Sequence, residues 1–523
     1  MMTKLQKLPI GDSSFESIRE GNWLYVDKTQ HIFQMVDEGK YYFMSRPRRF
    51  GKSLTVSVLR CLFQGRQELF DGLWIKEHTD WEWKTHPVIL FDFNEISHDT
   101  PENLKLSLQR AMQKIAEEYG LISDAKLIKD QFKELILSLY HKTKVPVVVL
   151  IDEYDKPLID HLGKGEESLE IAKKNRDILK YFLGVLKGGD VSSVLRFVFI
   201  TGVSKFSRVT IFSELNNLQD LTMLEPYADM LGYTQNELET YFISYIHLLS
   251  QHTECAESEI IANLERHYNG YRFSKRDIRV YNPFSVMSVL KQKEFRNYWF
   301  ETGTPTFLIN LLREKNYPVI KIENLQLDEH IFSVYELEHL RPEALLFQTG
   351  YITIKNVTDF IYTFDYPNQE VKISFLKYLM YSFVPGNGSD QSIFLRLSGY
   401  LQQENITAFF ETVSSIFASI PYMVEIKRDE AYFHTVFYLI VCASGVNTRT
   451  EVLTCTGRID LLIEFSDKLF IIEFKCNQSA DTAIAQIRDK AYDQPFKQKG
   501  KKIILMGINF DTEKRNVTEW KIA

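Results

Sequence analysis

Two groups of residues have the types and spacing of phosphate chemistry. The first is Gly51-Lys52-Ser53, which closes a basic loop after a short apolar run, Tyr41–Met44. Apolar residues at helical spacing follow: Leu54, Val58, Leu59 and Leu62. Strand, loop and helix in that order make a phosphate-binding loop. Backbone N–H groups and the helix N-terminus face the phosphates, the lysine reaches the outer phosphates, and the hydroxyl holds Mg²⁺. The usual pattern is G-x-x-x-x-G-K-[ST], and Arg46 stands at its first glycine. The string Arg46-Pro47-Arg48-Arg49-Phe50-Gly51-Lys52-Ser53 therefore loses backbone freedom at its entrance. It gains three cations near the phosphates, Arg46, Arg48 and Arg49.

A metal partner for this loop is expected at Asp152-Glu153. Val147–Ile151 is an uninterrupted aliphatic run, as in a parallel strand buried on both faces. A carboxylate at such a strand tip holds the Mg²⁺ water shell, and the next acid polarises the attacking water. A further strand, Val194–Thr201, ends in Thr201, where a polar residue can sense a γ-phosphate. Arg208 lies beyond it and can serve as an arginine finger or as an ordinary surface arginine.

The second group lies in the last hundred residues. Gly457–Ile463 reads as a strand, Ser466-Asp467-Lys468 as a turn, and Leu469–Lys475 as the return strand. Side chains alternate along a strand, so Glu473 and Lys475 share one face and Phe474 takes the other. In a hairpin Asp460 approaches that same face. Two carboxylates suit Mg²⁺ or Mn²⁺, and a lysine can assist the attacking water. Glu430 opens a helix through Phe433, Phe437 and Ile440, and can supply a third acid. Gln486 and Lys490 sit one turn apart on a helix over Ala483–Tyr492.

The elements that must position these groups suggest an α/β chain of several domains. The 523 residues are too many for one core, so two to four domains are expected. Aromatics at 13% argue against long disordered stretches, and a net charge of −7 does not advertise a nucleic-acid binder. The five cysteines, Cys61, Cys255, Cys442, Cys455 and Cys476, form no C-x-x-C pair. That fits a reducing compartment without a disulfide frame or a cysteine zinc site. No apolar signal core or 18-residue uncharged apolar run is present, so the expectation is a cytoplasmic protein with no membrane segment. Strands alternating with helices up to about residue 225 give a parallel sheet. Pro87–Phe93 is its second strand, and roughly 101–142 is helical. Residues 226–300 read as helical, with aromatic turns at Tyr268–Phe273 and Tyr281–Phe284 that can pack on an adenine, as a lid would, or simply fill loops. Tyr351–Lys355 and Phe360–Phe364 alternate like strands, and a turn at Asp365–Asn368 leads into Val371–Phe375, a hairpin compatible with a winged-helix-like module.

These residues carry a family resemblance. YVDKT (25–29), SRPRRFGKS (45–53), VVVLIDEYDKP (147–157) and ITGVSKFS (200–207) resemble the bacterial and archaeal AAA-ATPase-like proteins that end in a PD-(D/E)XK nuclease-superfamily domain. YNGYRF (268–273) and LFQTGYITIK (346–355) resemble their lid and wing region. GRID (457–460), IIEFK (471–475) and the helix bearing Gln486 resemble the nuclease core. The resemblance makes Arg46 the family's own form of the loop. It implies that Lys52 and Ser53 contact phosphate and Mg²⁺, and that Asp152 and Glu153 form the second ATPase motif. Asp460, Glu473 and Lys475 match the D…(D/E)-x-K signature, and Glu430 its first-helix acid.

The expected layout is a P-loop NTPase domain over 1–225, a helical and winged-helix-like lid over 226–375, a helical connector over 376–420, and an α/β nuclease-like domain over 421–523. The expected nucleotide site comprises Arg46, Arg48, Arg49, Gly51, Lys52, Ser53, Leu54, Asp152, Thr201 and Arg208, with Glu153 catalytic. The expected metal ligands are Ser53 and Asp152 at that site, and Glu430, Asp460 and Glu473 at the other. The expected function is ATP binding and hydrolysis coupled to Mg²⁺- or Mn²⁺-dependent cleavage of DNA or RNA, with nucleotide state gating the nuclease. The competing class is an ATP-dependent switch whose C-terminal fold grips nucleic acid or a partner without cutting.

Overall fold

Five parallel strands build the first sheet: β1 (Tyr41–Ser45), β2 (Val88–Asp92), β3 (Val147–Asp152), β4 (Leu195–Gly202) and the short β5 (Gln219–Asp220). Their spatial order is β2-β3-β4-β1-β5. β1 and β3 are buried along their whole length, which is why each reads as an unbroken apolar run. The register sets Asp92 beside Asp152, Ile151 beside Ile200, and Ser45 beside Gly202. β4 therefore separates the loop strand β1 from the acid strand β3, and the three run parallel to end at one edge. Open α/β sheets take ligands in the crevice outside the carboxyl ends of their strands.

The structure is a computed structural model describing residues 5–122, 125–205, 217–300, 306–315, 317–332, 340–383, 391–420 and 430–523. The chain divides into two compact units, Met1–Phe307 with Asp328–Ile361, and Leu308–Leu327 with Tyr362–Ala523. This division is coarser than the four consecutive segments expected, and it is interleaved. Among the described residues no helix is long and apolar enough to cross a membrane.

In the first unit, helices Gln235–Tyr241, Ile243–Thr253, Glu257–Tyr268 and Pro283–Gln292 follow the sheet. Thr234 and Glu237 start the first of them with a reciprocal capping box. Their core takes in Leu8, Leu24 and Val26 from the start of the chain. The N-terminal segment is thus part of the packing of these helices. Between the last two of these helices run the short strands β6 (Tyr271–Arg272) and β7 (Arg279–Val280).

Next come β8 (Leu325–Asp328), β9 (Thr353–Thr358) and β10 (Ile361–Asp365). The alternation at 351–364 is therefore strand, as expected. Val371–Phe375, however, lies inside the helix Gln369–Phe383. Asn368 accepts from Val371 N at 3.1 Å and starts that helix, and Val371, Phe375 and Leu379 are buried at helical spacing.

The second unit holds a five-stranded sheet in sequential order: β11 (Asn447–Leu453), β12 (Arg458–Glu464), β13 (Lys468–Cys476), β14 (Lys502–Asp511) and β15 (Asn516–Ile522). Only β13 and β14 run parallel, and the helix Ala480–Asp489 makes the crossover between them. The helices Gln391–Gln402 and Ile406–Ala418 pack into this unit. Lys468 Nζ donates to Gln402 O at 2.8 Å, and Phe410 stacks on Trp520 at 4.7 Å. The segment 308–327 is pinned by buried Glu323. Its carboxylate meets Lys372 Nζ at 2.6 Å and accepts from Tyr438 OH at 2.6 Å and from Thr450 N and Oγ1 at 3.1 Å.

Candidate functional site

Gly51 ends the loop with a φ of 93°, a conformation an L side chain rarely adopts, and Lys52 begins the helix Lys52–Phe63. The Lys52 ammonium is buried and donates to the carbonyls of Arg46 and Pro47, each at 3.1 Å. Burial pulls its pKa down, and Glu153, Asp152 and Asp155 pull it back. Burial likewise pushes Asp152 up to about 6, against a hydrogen bond from Ser53 and the charge of Lys52. Glu153 follows with a left-handed φ of 50° and lines the same cleft.

That cleft has a volume of about 420 Å³. Arg48, Arg49, Lys52, Ser53 and Leu54 line it from the loop. Its apolar end is formed by Val26, Met230, Phe284 and Met287. The Tyr281–Phe284 turn therefore does face the cleft. The Tyr268–Phe273 turn does not. Tyr271 and Phe273 instead pack edge-on against Phe50 at 4.8 and 5.6 Å, holding the loop from behind.

Arg46 is turned away from the cleft. Its guanidinium is buried, donates to Ser45 O at 3.0 Å, Thr222 O at 2.7 Å and Tyr227 O at 3.1 Å, and lies over Phe273 at 4.2 Å. It ties the loop entrance to the sheet and does not join the other nucleotide-site candidates. Arg49 is exposed, lies over Phe284 at 4.6 Å, and feels the charge of Glu153. Asp27 accepts from Thr29 N, Thr29 Oγ1 and Trp74 N.

Thr201 is fully buried at the end of β4, and among the described residues its hydroxyl has no hydrogen-bond partner. Arg208 lies outside the described residues. Asp155 was missed by sequence reasoning. Its buried carboxylate accepts from Val203 N at 3.1 Å and from Ser204 N and Oγ, both at 2.6 Å. Burial pushes it up to about 6 despite these donors. It clamps the turn after β4 to the turn after β3. The signal available was the third acid in Asp152-Glu153-Tyr154-Asp155, three residues past the strand tip.

In the second unit, the β12–β13 ladder pairs Leu461 with Ile472 and goes no further. Just past that point Phe474 N donates to Asp460 Oδ2 at 2.9 Å. A carboxylate thus takes the place of a ladder carbonyl. Lys475 Nζ reaches Glu473 Oε1 at 3.1 Å and Phe474 O at 3.0 Å. Gln486, on the crossover helix, also donates to Glu473 Oε1. Glu473 Oε2 is buried without a partner among the described residues. Burial and the neighbouring Asp460 push Glu473 up to about 7, with Lys475 opposing. Burial raises Asp460 as well, and Glu430 adds to both shifts. Asp460, Glu473, Lys475 and Gln486 are therefore together, with Glu430 within electrostatic reach. Among the described residues no three His, Cys, Asp or Glu side chains stand close enough to hold an ion as they lie. The basic run at 497–502 is paired with acids: Lys497 with Asp493, Lys501 with Glu464 and Lys502 with Glu404.

Comparison with known proteins finds two family matches along the chain. Residues 9–212 match the predicted AAA-ATPase family, and residues 428–520 match the PD-(D/E)XK nuclease superfamily. A curated relative, the uncharacterized protein in the vnfD 5′ region of Azotobacter chroococcum mcd 1, is 35% identical over 523 residues, spanning 98% of each chain. The crystal structure of Cdc6p from Pyrobaculum aerophilum overlaps 70% of this chain and 90% of its own at 12% identity, with a TM-score of 0.25, too loose to inform the fold. Two successive family matches and full-length identity to that relative place the chain in the family of AAA-ATPase-like proteins that carry a C-terminal PD-(D/E)XK nuclease-superfamily domain.

Proposed function

We propose that the protein binds and hydrolyses ATP in its first unit and cleaves nucleic-acid phosphodiesters in its second. One observation carries the reading. Each site sets a buried carboxylate, raised toward neutrality, beside a lysine: Asp152 with Lys52, and Glu473 with Lys475. Burial disfavours charge on such a carboxylate, a bound cation would offset that, and the oxygen-rich donor set suits a hard divalent ion. Ser53 and Asp152 would hold Mg²⁺ at the first site. Asp460, Glu473 and Glu430 would hold Mg²⁺ or Mn²⁺ at the second. Such an ion supplies Lewis acidity and neutralises phosphate oxygens when bound.

The chain's own groups do the rest. Lys52 exchanges the Arg46 and Pro47 carbonyls for the outer phosphates, and Arg48 and Arg49 add charge at the cleft wall. Glu153 orients the water, Thr201 offers a free hydroxyl between the two motifs, and the apolar end takes the base. At the second site Lys475 assists the attacking water, while Gln486 keeps Glu473 aimed.

The test compares Lys52→Ala with Lys475→Ala in the full chain. Lys52→Ala should lose ATP binding. Lys475→Ala should keep it and lose cleavage of single- and double-stranded DNA and RNA in Mg²⁺ or Mn²⁺. Cleavage by Lys475→Ala at the wild-type rate removes the nuclease assignment from this site, and no cleavage by the wild-type chain leaves an ATP-dependent switch.

A further inference from the structure

Glu430 is the least anchored of the acids near Glu473. It is the first residue of the helix Glu430–Ala443, and its side chain is 60% exposed. One turn later, on the same helix, stands His434. Its ring lies 4.5 Å from that of Phe474, whose backbone N–H is held by Asp460. The ring is thus fixed to the residue between Glu473 and Lys475. Its Nε2 is buried, has no hydrogen-bond partner among the described residues, and lies 3.7 Å from Glu430 Oε1. A neutral imidazole carries one N–H, which Nε2 can offer to an acceptor.

A buried ring nitrogen without a partner is costly, and the acid that the described residues set against it is Glu430. A slight turn of the exposed glutamate closes 3.7 Å to hydrogen-bond length. Donation from a neutral Nε2–H would fix the Glu430 carboxylate without neutralising it, leaving its charge for a cation. Such outer partners orient a ligand, and their loss typically costs about 10–100-fold in metal affinity.

We infer that His434 is the positioning residue for Glu430, donating from Nε2 to hold that carboxylate toward Asp460 and Glu473. This rests on the nuclease reading of the second unit. It adds a fourth helix-borne or strand-borne partner to the acids, reached through the Phe474 ring.

The test measures Mn²⁺ binding to the full chain by calorimetry, alongside melting temperature. Glu430→Ala should weaken Mn²⁺ about tenfold or more. His434→Phe, which keeps the ring packing on Phe474, should weaken it to the same degree, and the double variant should be no weaker than Glu430→Ala alone. His434→Gln, which keeps an N–H near Nε2, should stay within about threefold of wild type. If His434→Phe does not fold, His434→Leu makes the same comparison. Wild-type Mn²⁺ affinity in the folded His434→Phe or His434→Leu chain overturns the inference, as does an additive double variant. Wild-type affinity in Glu430→Ala overturns it by removing Glu430 from the ligands while the nuclease reading stands. Failure of the wild-type chain to bind Mn²⁺ removes both.

Discussion

Lys52 Nζ donates to the backbone carbonyl of Arg46 at 3.1 Å, while the Arg46 side chain points the other way, to Thr222 and Tyr227. The two cations of one loop have opposite duties. Lys52 is parked on carbonyls that phosphate oxygens can displace. Arg46 is committed to carbonyls that nothing displaces.

Arg46→Ala should therefore cost stability more than affinity. It removes the side-chain donor from three buried carbonyls and opens a space beside Phe273, a loss on the order of 3 kcal/mol by urea denaturation. Arg48→Ala and Arg49→Ala, at exposed positions lining the cleft, should leave the urea midpoint near wild type and weaken ATP severalfold in a fluorescent-nucleotide titration.

Asp155→Asn replaces one acceptor oxygen by an NH₂ facing Val203 N, Ser204 N and Ser204 Oγ. Donor would face donor in a buried turn. The expected loss is roughly 2–4 kcal/mol in denaturation, with ATP turnover falling along with the disturbed end of β4. Unchanged stability would mean that the clamp contributes nothing.

His98 and Asp160 give the first unit a stability window in pH. Burial opposes charge on both; their 3.0 Å contact outweighs it at His98, against the charge of Lys156, and that contact together with Lys156 outweighs it at Asp160. His98 is raised above 6.5, so its contribution is complete below that pH and is lost as pH rises through its folded value. Asp160 is held down to about 2 from 3.8, so its contribution is present above 3.8 and is lost as pH falls toward 2. His98→Gln should flatten the alkaline limb of a plot of urea midpoint against pH and weaken the acid limb, since His98 also holds Asp160 down.

Glu473, raised to about 7, should make cation binding release a proton. Mn²⁺ affinity should climb about tenfold from pH 6 to pH 8, because the ionised fraction of such a group rises by about that factor. Calorimetry in two buffers of different ionisation enthalpy reads the proton directly. In Glu473→Gln both the proton release and the pH dependence should vanish.

Lys372→Met would leave Glu323 charged and buried without its cation, at a cost of roughly 3–5 kcal/mol. The same pair predicts that a fragment of residues 428–520 fails to fold alone, since it lacks both Glu323 and Lys372. Circular dichroism of that fragment beside one of residues 308–523 checks this.

Much of the sheet, the loop and the nuclease hairpin was legible, because each couples an unbroken or alternating apolar run to a charged tip. Val147–Asp152 and Leu469–Lys475 show their burial in their composition. Arg46 was harder, since sequence shows its charge but not its direction, and the carbonyls of Thr222 and Tyr227 are remote in the chain. Val371–Phe375 misleads because its β-branched residues favour strands, while the cap at Asn368 and the buried spacing of Phe375 and Leu379 decide for helix. His434 was hidden within an apolar helix, where only contact with Phe474 separates it from ordinary core. Asp155 read as one acid in an acidic turn until Ser204 arrived from another strand.

Leu308–Leu327 is made before Asp328–Ile361, yet it belongs to the unit finished last. On the ribosome, the first unit must wait past a piece of its neighbour before it has all its residues. That piece in turn waits, with Glu323 unpaired, for Lys372 and Tyr438 to emerge. Recombination that swapped either unit as one continuous block would sever the other. The two activities proposed for this chain are thus inherited together, because no single cut in the gene separates the units that carry them.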